Sequence, residues 1–107
     1  MSASTPGYIG IVDSGSTLLL YAICKNGTTG ANASPTGDVT YAIEAASDGT
    51  QITSGNFTAS DWQGRTGHRT VSVTISGSYT RGALYRVVIT YVVSGVTISE
   101  LQTFNVG

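Results

Sequence analysis

A chain of 107 residues makes one domain, near the common size for a single hydrophobic core. Only 10% of it is charged and the net charge is −1, which excludes the dense basic face needed to capture nucleic acid or an anionic membrane. The single cysteine excludes an intrachain disulfide, and the opening MSASTPGYIG lacks both the basic and the apolar region of a signal peptide.

Residues 1–10 read as a small, polar, proline-containing arm, and residues 11–107 as the folded domain. Tyr8 to Val12 is a short candidate strand at the end of the arm. Ser16 to Lys25 is a stronger one, with Leu18, Leu20, Ala22 and Cys24 on one face and Leu19, Tyr21 and Ile23 on the other, a pattern that allows cover on both sides. Cys24, inside this apolar run, reads as a buried, inert thiol. Asn26 to Gly37, NGTTGANASPTG, is too rich in Gly, Asn and Pro for regular structure and long for a plain connection. Asn26, Asn32 and Asn56 lie in N-x-S/T sequences, which in a chain this rich in Ser and Thr read as turn residues and not as glycosylation sites.

Asp38 to Ala46 alternates, with Val39, Tyr41, Ile43 and Ala45 on one side, as a strand with one wet face does. Ser47-Asp48-Gly49 signals a hairpin. Gln51–Thr53 and Asn56–Ala59 are two weak, short strands, and Ser60–Arg69 is a second polar loop. Arg69 to Ser76 alternates with Val71, Val73 and Ile75 inward, which places His68 with Thr70 on the outward side. Ala83 to Val93 is the longest expected strand, and Ser94-Gly95 a tight turn into Val96–Val106. The alternation of that last strand breaks near Glu100–Gln102, which suggests a bulge or an edge. No segment carries a helical period. The fold class is therefore all-β, a sandwich of about seven antiparallel strands.

Chemistry is sparse. Asp61, Arg65, His68 and Arg69 form the one local cluster of reactive side chains, without a nucleophile or a second metal ligand at useful spacing. A solvated loop explains them, and neither an enzyme nor a cofactor is expected. Trp62 stands out because tryptophan is enriched at binding hot spots yet lies here in a polar loop. It reads either as an interface residue or as a lid over one end of the core. Arg65 and Arg69 beside it have the geometry to bind carboxylates of a partner.

Arg81-Gly82-Ala83-Leu84-Tyr85-Arg86-Val87 resembles the start of strand F in immunoglobulin-like domains, where a tyrosine hydroxyl bonds back to the backbone. The resemblance makes Tyr85 the corner tyrosine and puts Val87 where antibody domains carry a cysteine. No cysteine pair exists, and no tryptophan stands on the presumed strand C. A closer resemblance, over most of residues 16–106, is to small immunoglobulin-like domains of tailed-bacteriophage virions. Asn26-Gly27, Val39/Tyr41/Ile43, Asp48-Gly49, Thr66-Gly67 with Val71, Gly82/Tyr85/Val87/Ile89 and Phe104/Val106 carry it, in order and spacing. It implies an immunoglobulin-like β-sandwich with a structural role in the virion: a capsid decoration or cement protein on the major capsid protein, or a tail, baseplate or fibre-base component. The chain would then be made in the host cytoplasm, end in the virion, and self-associate in a symmetric assembly; low charge leaves little repulsion between copies. The expected contacts are Tyr8 and Ile9 of the arm, Asn32 and Pro35 of the first loop, and Trp62, Arg65, His68 and Arg69 of the second. A carbohydrate-binding or adhesive module built on Trp62 is the alternative outside the virion.

Overall fold

Alternation of apolar residues with Thr and Ser sets up strands that each bury one side, and this decides the architecture. The computed structural model describes residues 7–107, and residues 1–6 of the expected arm lie outside them. The strands are β1 (Gly7–Val12), β2 (Thr17–Ile23), β3 (Thr40–Ala45), β4 (Gln51–Asn56), β5 (His68–Thr74), β6 (Leu84–Val93) and β7 (Val96–Val106). A five-stranded sheet in the order β1-β7-β6-β3-β4 packs against the two-stranded sheet β2-β5. Over the described residues the fold is an all-β sandwich of seven strands in two sheets. Leu18, Leu20 and Ala22 of β2 and Cys24 just beyond it, with Val73 and Ile75, form one core with Ile43, Tyr85, Val87, Ile89, Tyr91, Phe104 and Val106 of the larger sheet.

Several details correct the sequence reading. The strands are not all antiparallel, because β1 runs parallel to β7. Strand character follows from the residues themselves, but a pairing between segments this far apart in sequence leaves no local signal. Of the two weak strands, Gln51–Thr53 continues through Ser54 and Gly55 to Asn56 as β4, and the rest of Asn56–Ala59 is not strand. Glycine is tolerated there because the Tyr41 ring crosses it: a Cβ at Gly55 would lie 2.8 Å from the Tyr41 hydroxyl. The longest strand is β7, of 11 residues, against 10 for β6. Its β6 ladder is unbroken through Glu100–Gln102, so no bulge sits there. What changes is the neighbour, since β1 joins β7 only from Gln102 onward and the first half of β7 is an edge. Register shifts of this sheet fall instead on β1, between Tyr8 and Gly10, and in the β3-β4 pair, between Ile43 and Glu44. On β2, Leu19 is 61% exposed, so that strand is fully covered on one face only. Ser94 and Gly95 both take positive φ, the geometry of the tight turn expected between β6 and β7.

The corner tyrosine is in place: the Thr80 N–H donates to the Tyr85 hydroxyl at 2.6 Å. Tyr79 packs edge-on against Tyr85, with ring centroids 4.9 Å apart, yet its own hydroxyl is buried without a partner. Removing the same atom at the two sites should therefore have opposite consequences. Tyr85→Phe is expected to cost about 1 kcal/mol, and Tyr79→Phe to be neutral or stabilising by up to about 1 kcal/mol. Urea midpoints of the two variants check this, and an equal loss in both would show that the Tyr79 hydroxyl has a partner in solution.

Candidate functional site

Because strand side chains alternate, the face of β2 opposite the core presents Leu19, Tyr21 and Ile23. In the β2-β5 ladder His68 stands opposite Ile23 and Thr70 opposite Tyr21, which puts His68 and Thr70 on the outward side as expected. A 3-10 turn, Trp62–Gly64, then lays Trp62 on this face. The indole and the Tyr21 ring meet edge to face at 5.5 Å, and the His68 ring meets Tyr21 at the same distance. The Tyr21 hydroxyl is hydrogen-bonded to His68 Nδ1, and Asn32 Nδ2 lies 3.4 Å from His68 Nε2. With the Asn32 amide donating to Nε2, a neutral ring carries its proton on Nδ1 and gives it to Tyr21. Both ring nitrogens are engaged, so His68 presents no free base. Arg65 covers the indole, its guanidinium carbon 5.8 Å from the ring centroid, where a stacked sugar would compete with it.

Trp62 is 37% exposed and stands outside the core cluster, which makes it a residue of the outer sheet face and not a lid on the sandwich end. Arg69 is no docking residue. It is 7% exposed, and its Nε donates to Asp61 Oδ1 at 3.0 Å while Nη1 donates to the Thr58 carbonyl at 3.4 Å. The Arg69 bond, aided by the Ser34 hydroxyl, holds the Asp61 carboxyl below the usual carboxylate range. A depressed carboxylate stabilises the fold above its ordinary pKa, and that contribution is lost as pH falls through the folded value.

The loop from Asn26 to Gly37 is tied down at several points. Asn26 Oδ1 accepts from the Thr28 and Thr29 N–H groups, the turn role expected of this asparagine. Lys25 and Asn32 form a β-bridge, the Ala33 N–H donates to the Cys24 carbonyl at 3.0 Å, and the Thr36 N–H donates to the Val92 carbonyl at 2.7 Å. Pro35, half-buried, sits between the last two anchors. The structure thus joins Asn32, Trp62, Arg65 and His68 in one surface cluster. It leaves Tyr8 and Ile9 on β1, at the edge of the other sheet. Beside the cluster an open cleft of about 360 Å³ runs between β2 and β7, lined by Tyr21, Ile23, Lys25, Glu100 and Gln102. Gln102 crosses it, its amide donating to the Tyr21 carbonyl at 3.2 Å.

Sequence reasoning missed three exposed apolar side chains of the larger sheet. Ile11 is 72% exposed, Leu84 41% and Leu101 39%. Ile11 and Leu84 both pair with Asn105, so they share a face of the larger sheet, and Leu101 follows on that face of β7. Ile11 and Leu84 lie beside other apolar residues, where alternation alone does not say which side faces out, and Leu101 is a lone apolar residue on a polar face between Ser99 and Thr103.

Cys24 is fully buried beneath the loop. Burial pushes its thiol up to about 11 against a pull downward from Arg69. A thiol raised in the folded state supports the fold fully below its unfolded pKa, and the support fades as pH climbs from about 9 to about 11. Stability is expected to fall by roughly 2–3 kcal/mol over that window. Cys24→Ala should remove this part of the slope, leaving the later decline from Tyr79 and Tyr91, whose hydroxyls burial also pushes up. Unfolding midpoints at pH 8, 9.5 and 11 (about these values) decide it; a slope unchanged by the substitution would assign it to the tyrosines.

Among the described residues no group of three or more His, Cys, Asp or Glu is placed to hold a metal ion, and no helix is long and apolar enough to cross a membrane. No family model matches the chain, and neither a curated protein nor a solved structure does.

Proposed function

We propose that the protein is a non-enzymatic structural component of a bacteriophage particle, a decoration protein that binds the major capsid lattice and associates with copies of itself. A subunit that binds only the assembled shell stabilises it by mass action, and many copies multiply the effect. The observation that supports a binding role most is the outer face of the larger sheet, where Tyr8, Ile11, Leu84 and Leu101 are each at least 39% exposed among Thr103, Asn105 and Arg86. Several exposed apolar side chains on one face, rimmed by polar ones, favour a contact surface. Among the described residues, the charged pair on that face, Arg86 with Glu44 at 2.7 Å, is internally compensated and asks for no opposite charge from a partner. The phage assignment itself rests on the order and spacing of the sequence elements from Asn26-Gly27 to Phe104/Val106. The engaged nitrogens of His68 and the buried pairing of Arg69 fit a structural role better than a catalytic one.

Cosedimentation of the purified protein with capsids lacking it, followed by a comparison of shell heat stability, tests the reading. Saturable binding with added shell stability is the expected result. Absence of binding to intact capsids overturns decoration and directs the search to tail, baseplate and fibre-base proteins.

A further inference from the structure

Strand β1 closes the five-stranded sheet, and among the described residues it pairs only with β7. Its other side offers backbone N–H and C=O groups to any strand that arrives. Edge strands are normally guarded by lysine, proline or an inward charge. Gly-Tyr-Ile-Gly-Ile-Val carries none of these, and Tyr8 is 57%, Ile9 39% and Ile11 72% exposed. The opposite edge, β4, reads Gln-Ile-Thr-Ser-Gly-Asn and is much more polar.

The bulge gives β1 a second property. Tyr8 pairs with Thr103 and Ile11 with Asn105, two residues apart on β7, so Tyr8 and Ile11 share one face with the extra residue between them. The midpoint of the strand falls between Ile9 and Gly10. An antiparallel second copy centred there sets Tyr8 of each chain opposite Ile11 of the other, an aromatic against a β-branched residue, twice. It also sets Ile9 of each chain opposite Gly10 of the other. Gly10 has φ +124°, and a Cβ built on it would meet nothing within 4 Å, so there is room where the extra side chain would stand. A bulge can turn an edge away from neighbours; this one supplies an apolar knob and a gap in positions that a twofold axis exchanges. With no charge on the strand, two copies do not repel, and a charged partner strand would gain nothing from it.

We propose that β1 pairs antiparallel with β1 of a second copy, joining two five-stranded sheets across a twofold axis. The pairing deepens the self-association in the reading above, although it does not require a capsid. Sedimentation of the full chain at micromolar concentrations is expected to show a dimer. Ile11→Lys should raise the dimer dissociation constant at least about tenfold while leaving the unfolding midpoint unchanged at dilutions where both proteins are monomeric, because the side chain is 72% exposed in the monomer. The register is read by mixing two single variants, Tyr8→Cys and Ile11→Cys, under mild oxidation. The mixture should yield a disulfide-linked dimer and neither variant alone should, the native Cys24 being fully buried. A protein that stays monomeric, a dimer indifferent to Ile11→Lys, or cross-linking no stronger in the mixture than in the single variants overturns the pairing. Cosedimentation with capsids separates the two ideas. A monomer that still binds shells retains the decoration reading alone, and a dimer that does not bind them retains the pairing alone.

Discussion

Truncation of Phe104 to alanine is expected to cost about 3–5 kcal/mol, the upper range for a buried aromatic. Phe104 is fully buried and sits on β7, opposite Tyr85 on one side and Gly10 on the other. Its ring stacks on Tyr85 at 5.7 Å and tilts against Tyr79 at 6.2 Å. Two of the groups that would have to move into the cavity are stiff aromatic rings, and Tyr85 is also fixed by the Thr80 hydrogen bond. The site therefore collapses poorly, which is the condition under which truncation is most damaging. For a domain with a total stability of about 5–15 kcal/mol, that leaves little margin. The thermal midpoint should drop by roughly 15–30 °C. Leu101→Ala, at a residue 39% exposed on the same strand, should stay within about 1 kcal/mol of the parent. Urea unfolding at constant m-value makes the comparison. A loss below about 2 kcal/mol at Phe104 would mean that the aromatic cluster repacks.

The seven strands were legible because most carry a period of two and end at Gly, Asp or Asn. Tyr85 was legible as a corner residue through the resemblance of Arg81–Val87 to the start of strand F, and its hydrogen bond closes within five residues, to Thr80. What failed was non-local. The parallel β1-β7 pairing joins segments far apart in sequence, and the extension of the first weak segment through Gly55 into β4 takes place under the Tyr41 ring. The same limit governs the candidate site. Trp62 and His68 were singled out by residue type, but Tyr21, which meets both, lay unremarked on the second face of an apolar strand. Arg69 shares the parity of Val71 and Val73, so alternation already placed it inward, where a partner's carboxylate could not reach it. Asp61 completes it from the preceding loop, a pairing that spacing alone did not reveal. Ile11 escaped notice because an isoleucine on an edge strand looks like a core residue until the sheet order is known.

Gly67→Ala is the second large effect, and it bears on how the surface cluster is held. Gly67 is buried with φ +78°, and a Cβ there would lie 2.6 Å from the Cys24 carbonyl oxygen and 2.7 Å from that of Ala33. Both obstacles are main chain, and both belong to the seam itself. The Cys24 N–H donates to the Gly67 carbonyl at 2.9 Å, and the Ala33 N–H donates to the Cys24 carbonyl at 3.0 Å. A methyl group must part the end of β2, the loop behind it and the turn into β5. Gly64→Ala is the control: its φ is +68°, yet a Cβ there meets nothing within 4 Å. The control should show only the cost of a left-handed alanine, about 1–2 kcal/mol. Gly67→Ala should exceed it and reach about 4 kcal/mol, the range kept for severe single substitutions. Trp62 is the sole tryptophan, so its emission reports the cluster directly. Displacement of Asn32 and His68 should shift it in Gly67→Ala at temperatures where the variant is still folded. Equal losses in the two variants, with unchanged emission, would mean that the loop yields to the methyl group. The cluster of Asn32, Trp62 and His68 would then be held by β2 and β5 alone, and the close approach at Gly67 would be incidental to it.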